Sequence, residues 1–193
     1  MLKGLYDWTM RMAAHRRALS ALFAVSFVES SVFPIPPDVM IVPMILADKA
    51  KAWRVALVCT LGSVLGALLG YAIGALLFET VGRPLIEFYG YGAAFAEFTS
   101  RYNEWGAWIV AGAALTPFPF KVITIASGAT GLDLVVFTLA SVLARGLRFY
   151  LEAALLWRFG PPIRDFIEGN LKIVTTVFFC LLIGGFVAIK YLA

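Results

Sequence analysis

The chain is poor in the residues that most often run nucleophilic or metal chemistry: it has one histidine and two cysteines in 193 residues. His15 stands alone among basic residues near the N-terminus, so no Ser-His-Asp arrangement can be assembled around it. Cys59 and Cys180 each sit inside an apolar run without metal-ligand spacing, and both read as packing residues. There is no glycine-rich phosphate loop of the P-loop kind and no Cys/His cluster. No enzyme, no metal and no cofactor is therefore expected. Charge is scarce too, at 15% of residues where soluble domains carry about a quarter. The net charge of +4 comes from scattered Lys and Arg that bracket apolar runs, which excludes a nucleic-acid footprint and suits a surface of anionic lipid.

What the chain has in abundance is apolar surface: 61% hydrophobic residues and a mean hydropathy of +0.87. A soluble fold of this length could not hide it, so lipid must be the solvent for much of the molecule. The fold class expected is all-α, a polytopic integral membrane helix bundle. The N-terminus loosely resembles a signal peptide, with Ala50-Lys51-Ala52 as a candidate cleavage site. Glu29 and the prolines interrupt the apolar core well before it, and no processing is expected.

Residues 1–17 mix Leu, Trp and Met with Lys and Arg and read as an amphipathic helix lying on the membrane. Residues 18–47 form an apolar stretch broken by Pro34, Pro36 and Pro37, which cannot all continue a helix. Residues 55–78 are an uninterrupted span. Gly62, Gly66, Gly70 and Gly74 repeat along it every four residues, a face that another backbone can approach closely, within one chain or between copies in a homo-oligomer. A polar, aromatic-laced connector occupies 79–104. Residues 105–131 are a second broken stretch, opened by Trp105 and Trp108 and interrupted at Pro117 and Pro119. A second span occupies 134–157, a polar break with Pro161 and Pro162 follows at 158–170, and a last apolar span runs from 171 to 192.

A proline-broken stretch followed by a long helix thus occurs twice. Paired interrupted segments at corresponding positions point to an inverted repeat with its site at the breaks. If 18–47 and 105–131 are re-entrant hairpins, every basic cluster falls on one side: Arg11, Arg16 and Arg17 with Lys49, Lys51 and Arg54, and then Arg158, Arg164 and Lys172. A straight crossing at 18–47 would split the two strongest clusters, so the positive-inside rule favours opposed hairpins with a cytoplasmic N-terminus.

Ionisable residues within apolar segments are costly and should face a wet cavity or a partner. Glu29 and Asp38 flank the first break, and Lys121 follows the second. Arg145, Arg148 and Glu152 share one helix face. Lys121, Arg145 and Arg148 are suited to an anionic group, most naturally a lipid phosphate, while Glu29 and Asp38 could carry protons or balance the cations. Arg148 and Glu152 could equally pair to hold helices together.

Glu29-Ser-Ser-Val-Phe-Pro34-Ile-Pro36-Pro37-Asp38, the glycine-rich span, Thr116-Pro117-Phe118-Pro119-Phe120-Lys121 with Ser127-Gly128, and Arg145-Gly-Leu-Arg148-Phe together resemble the DedA family, and within it the YqaA-like branch. That family carries the domain once called SNARE-associated and also known as VTT. The resemblance covers about residues 18–160. It implies two opposed re-entrant hairpins, a bacterial inner-membrane location, and movement of a phosphate-bearing lipid between leaflets. Undecaprenyl phosphate or a phospholipid would be the cargo, with flippase or scramblase character and a coupling to protons. Relatives often carry an Arg pair around the second break; here one position is uncharged, near Leu115 or Thr116, and the other is Lys121. Arg145 and Arg148, one helix later, can supply that charge. The other readings left open are a proton-coupled transporter of a small solute and a non-transporting membrane scaffold.

Overall fold

A computed structural model describes residues 17–31, 36–115 and 119–169. The interfacial segment proposed for 1–17 apart from Arg17, the prolines Pro34 and Pro117, and the span expected at 171–192 lie outside the described residues. Among the described residues every regular element is helical and there is no strand.

In chain order the elements are α1 (Ala18–Ser31), α2 (Asp38–Ala47), a 3-10 turn (Lys49–Lys51), α3 (Ala52–Leu77), a π-helical turn (Phe78–Gly82), α4 (Arg83–Phe88), α5 (Gly92–Leu115), α6 (Phe120–Ala129) and α7 (Leu134–Gly169). Among the described residues two stretches are long and apolar enough to cross a bilayer, Lys49–Phe88 with a mean hydropathy of 2.0 and Leu134–Gly160 with 1.6. At 1.5 Å per residue α1 is about 21 Å long, and α2 and α6 about 15 Å each, against a hydrocarbon core of about 30 Å. The prolines account for these short lengths. Pro37 caps α2 and Pro119 caps α6, because a ring with fixed φ and no N–H starts a helix better than it continues one.

Local chemistry fixes the other corners. Asp48 accepts from the Ala50 N–H at 3.0 Å and pairs with Lys51 at 3.0 Å, turning the chain into α3. The Lys51 ammonium, with the Ala50 N–H, holds this exposed carboxyl below its usual range. Gly131, at φ +63°, takes a left-handed conformation that ends α6. Asp133 then accepts from the Val136 N–H at 2.9 Å to start α7. The second half of the polar connector (92–104) and the first arm of the second broken stretch form one continuous helix, α5, since no proline lies between 92 and 115 and Glu97–Arg101 pairs along its surface at 2.7 Å. The break expected at Pro161 and Pro162 is also absent: α7 continues to Gly169. A proline's φ is compatible with a helix, and each ring removes only its own N–H bond and crowds the carbonyl four residues back.

The packing is inside-out relative to a soluble bundle. On α3 the residues buried against other helices are small apart from Val55 and Thr60 (Ala52, Ala56, Cys59, Gly62, Ser63, Gly66, Ala67, Gly70, Gly74), while Leu57, Leu61, Leu65 and Leu69 point outward. Leu139, Leu143, Leu147, Leu151 and Leu155 make a similar exposed row on α7. Rows of exposed leucine are stable only if hydrocarbon covers them, whereas small residues let backbones approach.

The glycine face of α3 is filled by two short helices laid end to end. A methyl group at Gly62 would meet the Phe23 carbonyl oxygen at 2.7 Å, and one at Gly66 would strike the Phe27 backbone, both on α1. At Gly70 it would strike the Thr124 side chain, and at Gly74 the Ile125 carbonyl, both on α6. The two helices touch where the Thr124 hydroxyl donates to the Ser30 carbonyl at 3.2 Å. Contact registers give directions. Ser26 to Cys59 and Ser30 to Ser63 make α1 parallel to α3. Tyr71 to Phe137 and Trp53 to Tyr150 make α3 and α7 antiparallel. Asp38 to Arg148, with Leu46 beside Gly160, makes α2 parallel to α7 and so opposite to α1.

Candidate functional site

The C-terminal end of α1 and the first turns of α6 meet at the middle of α3, and α7 presents its charged face there. Arg145, one of the largest fully buried side chains, is 1% exposed. Its Nε donates to the Ser63 hydroxyl at 2.5 Å, and its Nη2 donates to Glu29 Oε2 at 2.6 Å and more weakly to the Ser30 hydroxyl at 3.5 Å. Ser30 and Ser63 hydroxyls bond each other at 2.7 Å, and Ser30 also donates to Glu29 at 2.9 Å. The guanidinium carbon lies 4.9 Å from the centre of the Phe120 ring and 4.7 Å from that of Phe149. Cationic planes against aromatic faces are attracted by the ring quadrupole, more strongly when water is excluded.

One turn on, Arg148 pairs with Asp38. A single nitrogen, Nη2, lies 3.2 Å from each carboxylate oxygen, with side-chain exposures of 30% and 31%. Glu152, a further turn along α7, brings its carboxyl close to that of Asp38 and within the influence of Arg148.

Five of the six charged residues singled out in the sequence therefore come together: Glu29, Asp38, Arg145, Arg148 and Glu152. The acids of the first broken stretch face the cations of α7 in two separate pairs, and Arg148 pairs with Asp38 across the bundle. Lys121 is half-buried in the first turn of α6, next to Phe120, the residue that covers Arg145. Pro36, Pro37 and Pro119 lie at the helix starts just described, and the four glycines line the face that receives α1 and α6.

Sequence reasoning missed Ser30, Ser63, Phe120 and Phe149. Ser63 adjoins Gly62 on the buried face of α3, and Phe120 closes the Pro-Phe-Pro-Phe run, so each had a local hint. Neither hint says that they converge on an arginine more than twenty residues away in sequence. Among the described residues no group of three His, Cys, Asp or Glu is placed to hold a metal ion. An open apolar groove of about 480 Å³ lies along α5, lined by Phe98, Arg101, Tyr102, Trp105, Trp108 and Ile109, and includes none of the six charged residues.

Three comparisons bear on this arrangement. The family profile described as the VTT domain matches residues 35–158. A Haemophilus influenzae protein described as uncharacterized is 36% identical over 168 residues, covering 85% of this chain and 87% of the relative. A Histophilus somni protein described as an uncharacterized homologue is 35% identical over 185 residues, covering 92% of this chain and 96% of the relative. No solved structure matches the chain.

Proposed function

Starting from the fact that this chain belongs to the VTT-domain (DedA) family of membrane proteins, we propose that it is a transporter moving a phosphate-bearing lipid, such as undecaprenyl phosphate or a phospholipid, between leaflets of the bacterial inner membrane. The observation that carries this reading is the pair of arginine–carboxylate contacts, Arg145–Glu29 and Arg148–Asp38, gathered where α1, α2 and α6 come together against α3 and α7 inside a leucine-coated bundle. Ionised groups in such surroundings cost several kcal/mol each unless they are matched, and they mark transport paths by default.

Two re-entrant hairpins are part of the proposal. The reversal of α2 against α1, the short lengths of α1, α2 and α6, and the end-to-end contact of α1 with α6 support them. Non-helical backbone at that depth is tolerated where protein or a polar cavity surrounds it. In the mechanism the acyl chains stay in the bilayer while the headgroup phosphate exchanges into the charged centre, and the carboxylate it displaces from its arginine must be neutralised in turn. Lys121, in the first turn of α6, is the cation that meets the headgroup before it reaches α7. A proton taken up by Asp38 or Glu152 would balance the phosphate, which is how a proton gradient could drive the cycle.

Liposome reconstitution of the full chain tests the proposal. Wild type should accelerate leaflet exchange of labelled phosphatidate or a prenyl phosphate over protein-free vesicles and over Arg145→Ala with Arg148→Ala. Equal rates in all three would end the lipid reading, and proton flux dependent on a soluble solute would replace it.

A further inference from the structure

The two arginines are built for different work. Arg145 has no open side: Ser63 takes Nε, Glu29 and Ser30 take Nη2, and the rings of Phe120 and Phe149 lie against it. At 1% exposure an anion reaching it would have to unpack α1, α6 and α7 together. Arg148 is about 30% exposed, as is its partner. It offers Asp38 one nitrogen at 3.2 Å to each oxygen, a longer and less specific contact than the two-nitrogen fork that holds carboxylates and phosphates best. Its other N–H groups take no part in that contact. Glu152 brings its carboxyl against the same carboxylate, so Asp38 is shared between Arg148 and a neighbouring carboxyl instead of being held by the arginine alone.

We infer that Arg148 is the cation that receives the anionic headgroup, that Asp38 occupies its place between turnovers and is displaced by the phosphate, and that Arg145 is a buried pin tying α7 to α1, α3 and α6 and never touches substrate. This rests on the lipid-transport reading and assigns its site. Asp38 then has two effects: it competes with the incoming phosphate and it drives the phosphate off again. Its removal should tighten binding and slow release. Glu29, although it too pairs with an arginine, should do neither.

The test uses the full-length protein in phosphatidylcholine nanodiscs with phosphatidate as the anionic probe, beside leaflet exchange of the same lipid in liposomes. Asp38→Asn should bind phosphatidate about tenfold tighter than wild type, one charge-assisted contact's worth, and exchange it more slowly. Arg148→Gln should lose the preference for phosphatidate over phosphatidylcholine while keeping its melting temperature. Glu29→Gln, which keeps acceptors for Arg145, should leave phosphatidate affinity unchanged and lower the melting temperature. Tighter binding by Glu29→Gln, weaker binding by Asp38→Asn, or full affinity in Arg148→Gln would each overturn the assignment. If such a pattern appears while wild type still exchanges lipid, the assignment fails and lipid transport stands. If wild type neither binds nor exchanges phosphatidate, the lipid reading fails and takes the assignment with it. An arm with inorganic phosphate separates the sources: the site is a lipid site if the free ion does not displace phosphatidate, and full displacement by the free ion overturns that part.

Discussion

Arg145 illustrates how a charge survives in an apolar bundle. Its stability depends on being matched, not on being charged. Replacing it by Met would leave the Glu29 carboxylate, 16% exposed, without its cation. Removing one member of a buried pair typically costs about 3–5 kcal/mol. The melting temperature of Arg145→Met in detergent should fall accordingly. The double change Arg145→Met with Glu29→Met should recover much of that loss, because an apolar pair of similar volume has nothing left to desolvate. A double variant as unstable as the single one would show that Ser30, Ser63 and the aromatic faces, rather than Glu29, set the energy. Arg145→Lys should also melt lower than wild type, because one ammonium cannot serve Ser63 and Glu29 from two directions while its stem lies between two rings.

At the scale of the helix, glycine spacing decides how closely α1 and α6 can lie on α3. A methyl at Gly66 meets backbone atoms of Phe27, and backbone cannot swing aside as a side chain can. Gly66→Ala should therefore push α1 away and lower the melting temperature. Overpacking of this kind commonly costs about 1–3 kcal/mol. Gly112 on α5 has nothing within 4 Å of a built methyl, so Gly112→Ala should be neutral or raise stability by up to about 1 kcal/mol through helix propensity. Thermal melts of the two variants side by side check the contrast. Equal effects would mean that the glycine face is not a close-packed seam. The same seam explains why α1 and α6 need not span the membrane individually: laid end to end, they cover the length of α3 that one full helix would cover.

For the whole molecule, the antiparallel run of α3 and α7 puts Asp48 and Arg158 at one end of the bundle and Gly90 at the other. The basic residues Lys49, Lys51, Arg54 and Arg158 all lie at the first end, which should be cytoplasmic. In a background with Cys180 replaced by Ala and the buried Cys59 retained, single cysteines at 48 and 158 should be blocked by a membrane-impermeant maleimide only after the cytoplasmic face is opened. A cysteine at 90 should react from outside in intact cells. Labelling of 48 and 158 from opposite faces would rule out the paired-hairpin topology.

Composition and patterning alone determined that this chain lives in lipid, that two long helices alternate with two proline-broken stretches, and that α3 carries a small-residue face. Those are local properties: hydropathy, the missing N–H of proline and the four-residue spacing of Gly62, Gly66, Gly70 and Gly74 act within a turn or two of the residues concerned. The ionisable residues were legible as a set for the same reason, since any charge in an apolar run stands out. Which acid faces which arginine was not legible. Arg145 and Glu29 are 116 positions apart and Arg148 and Asp38 are 110 apart, and no periodicity links them. Sequence equally allowed Arg148 to pair with Glu152 one turn away. Only the packing of α2 alongside α7 brought Asp38 to it, and only the burial of Ser30, Ser63, Phe120 and Phe149 around Arg145 made one arginine a closed pin and left its neighbour open.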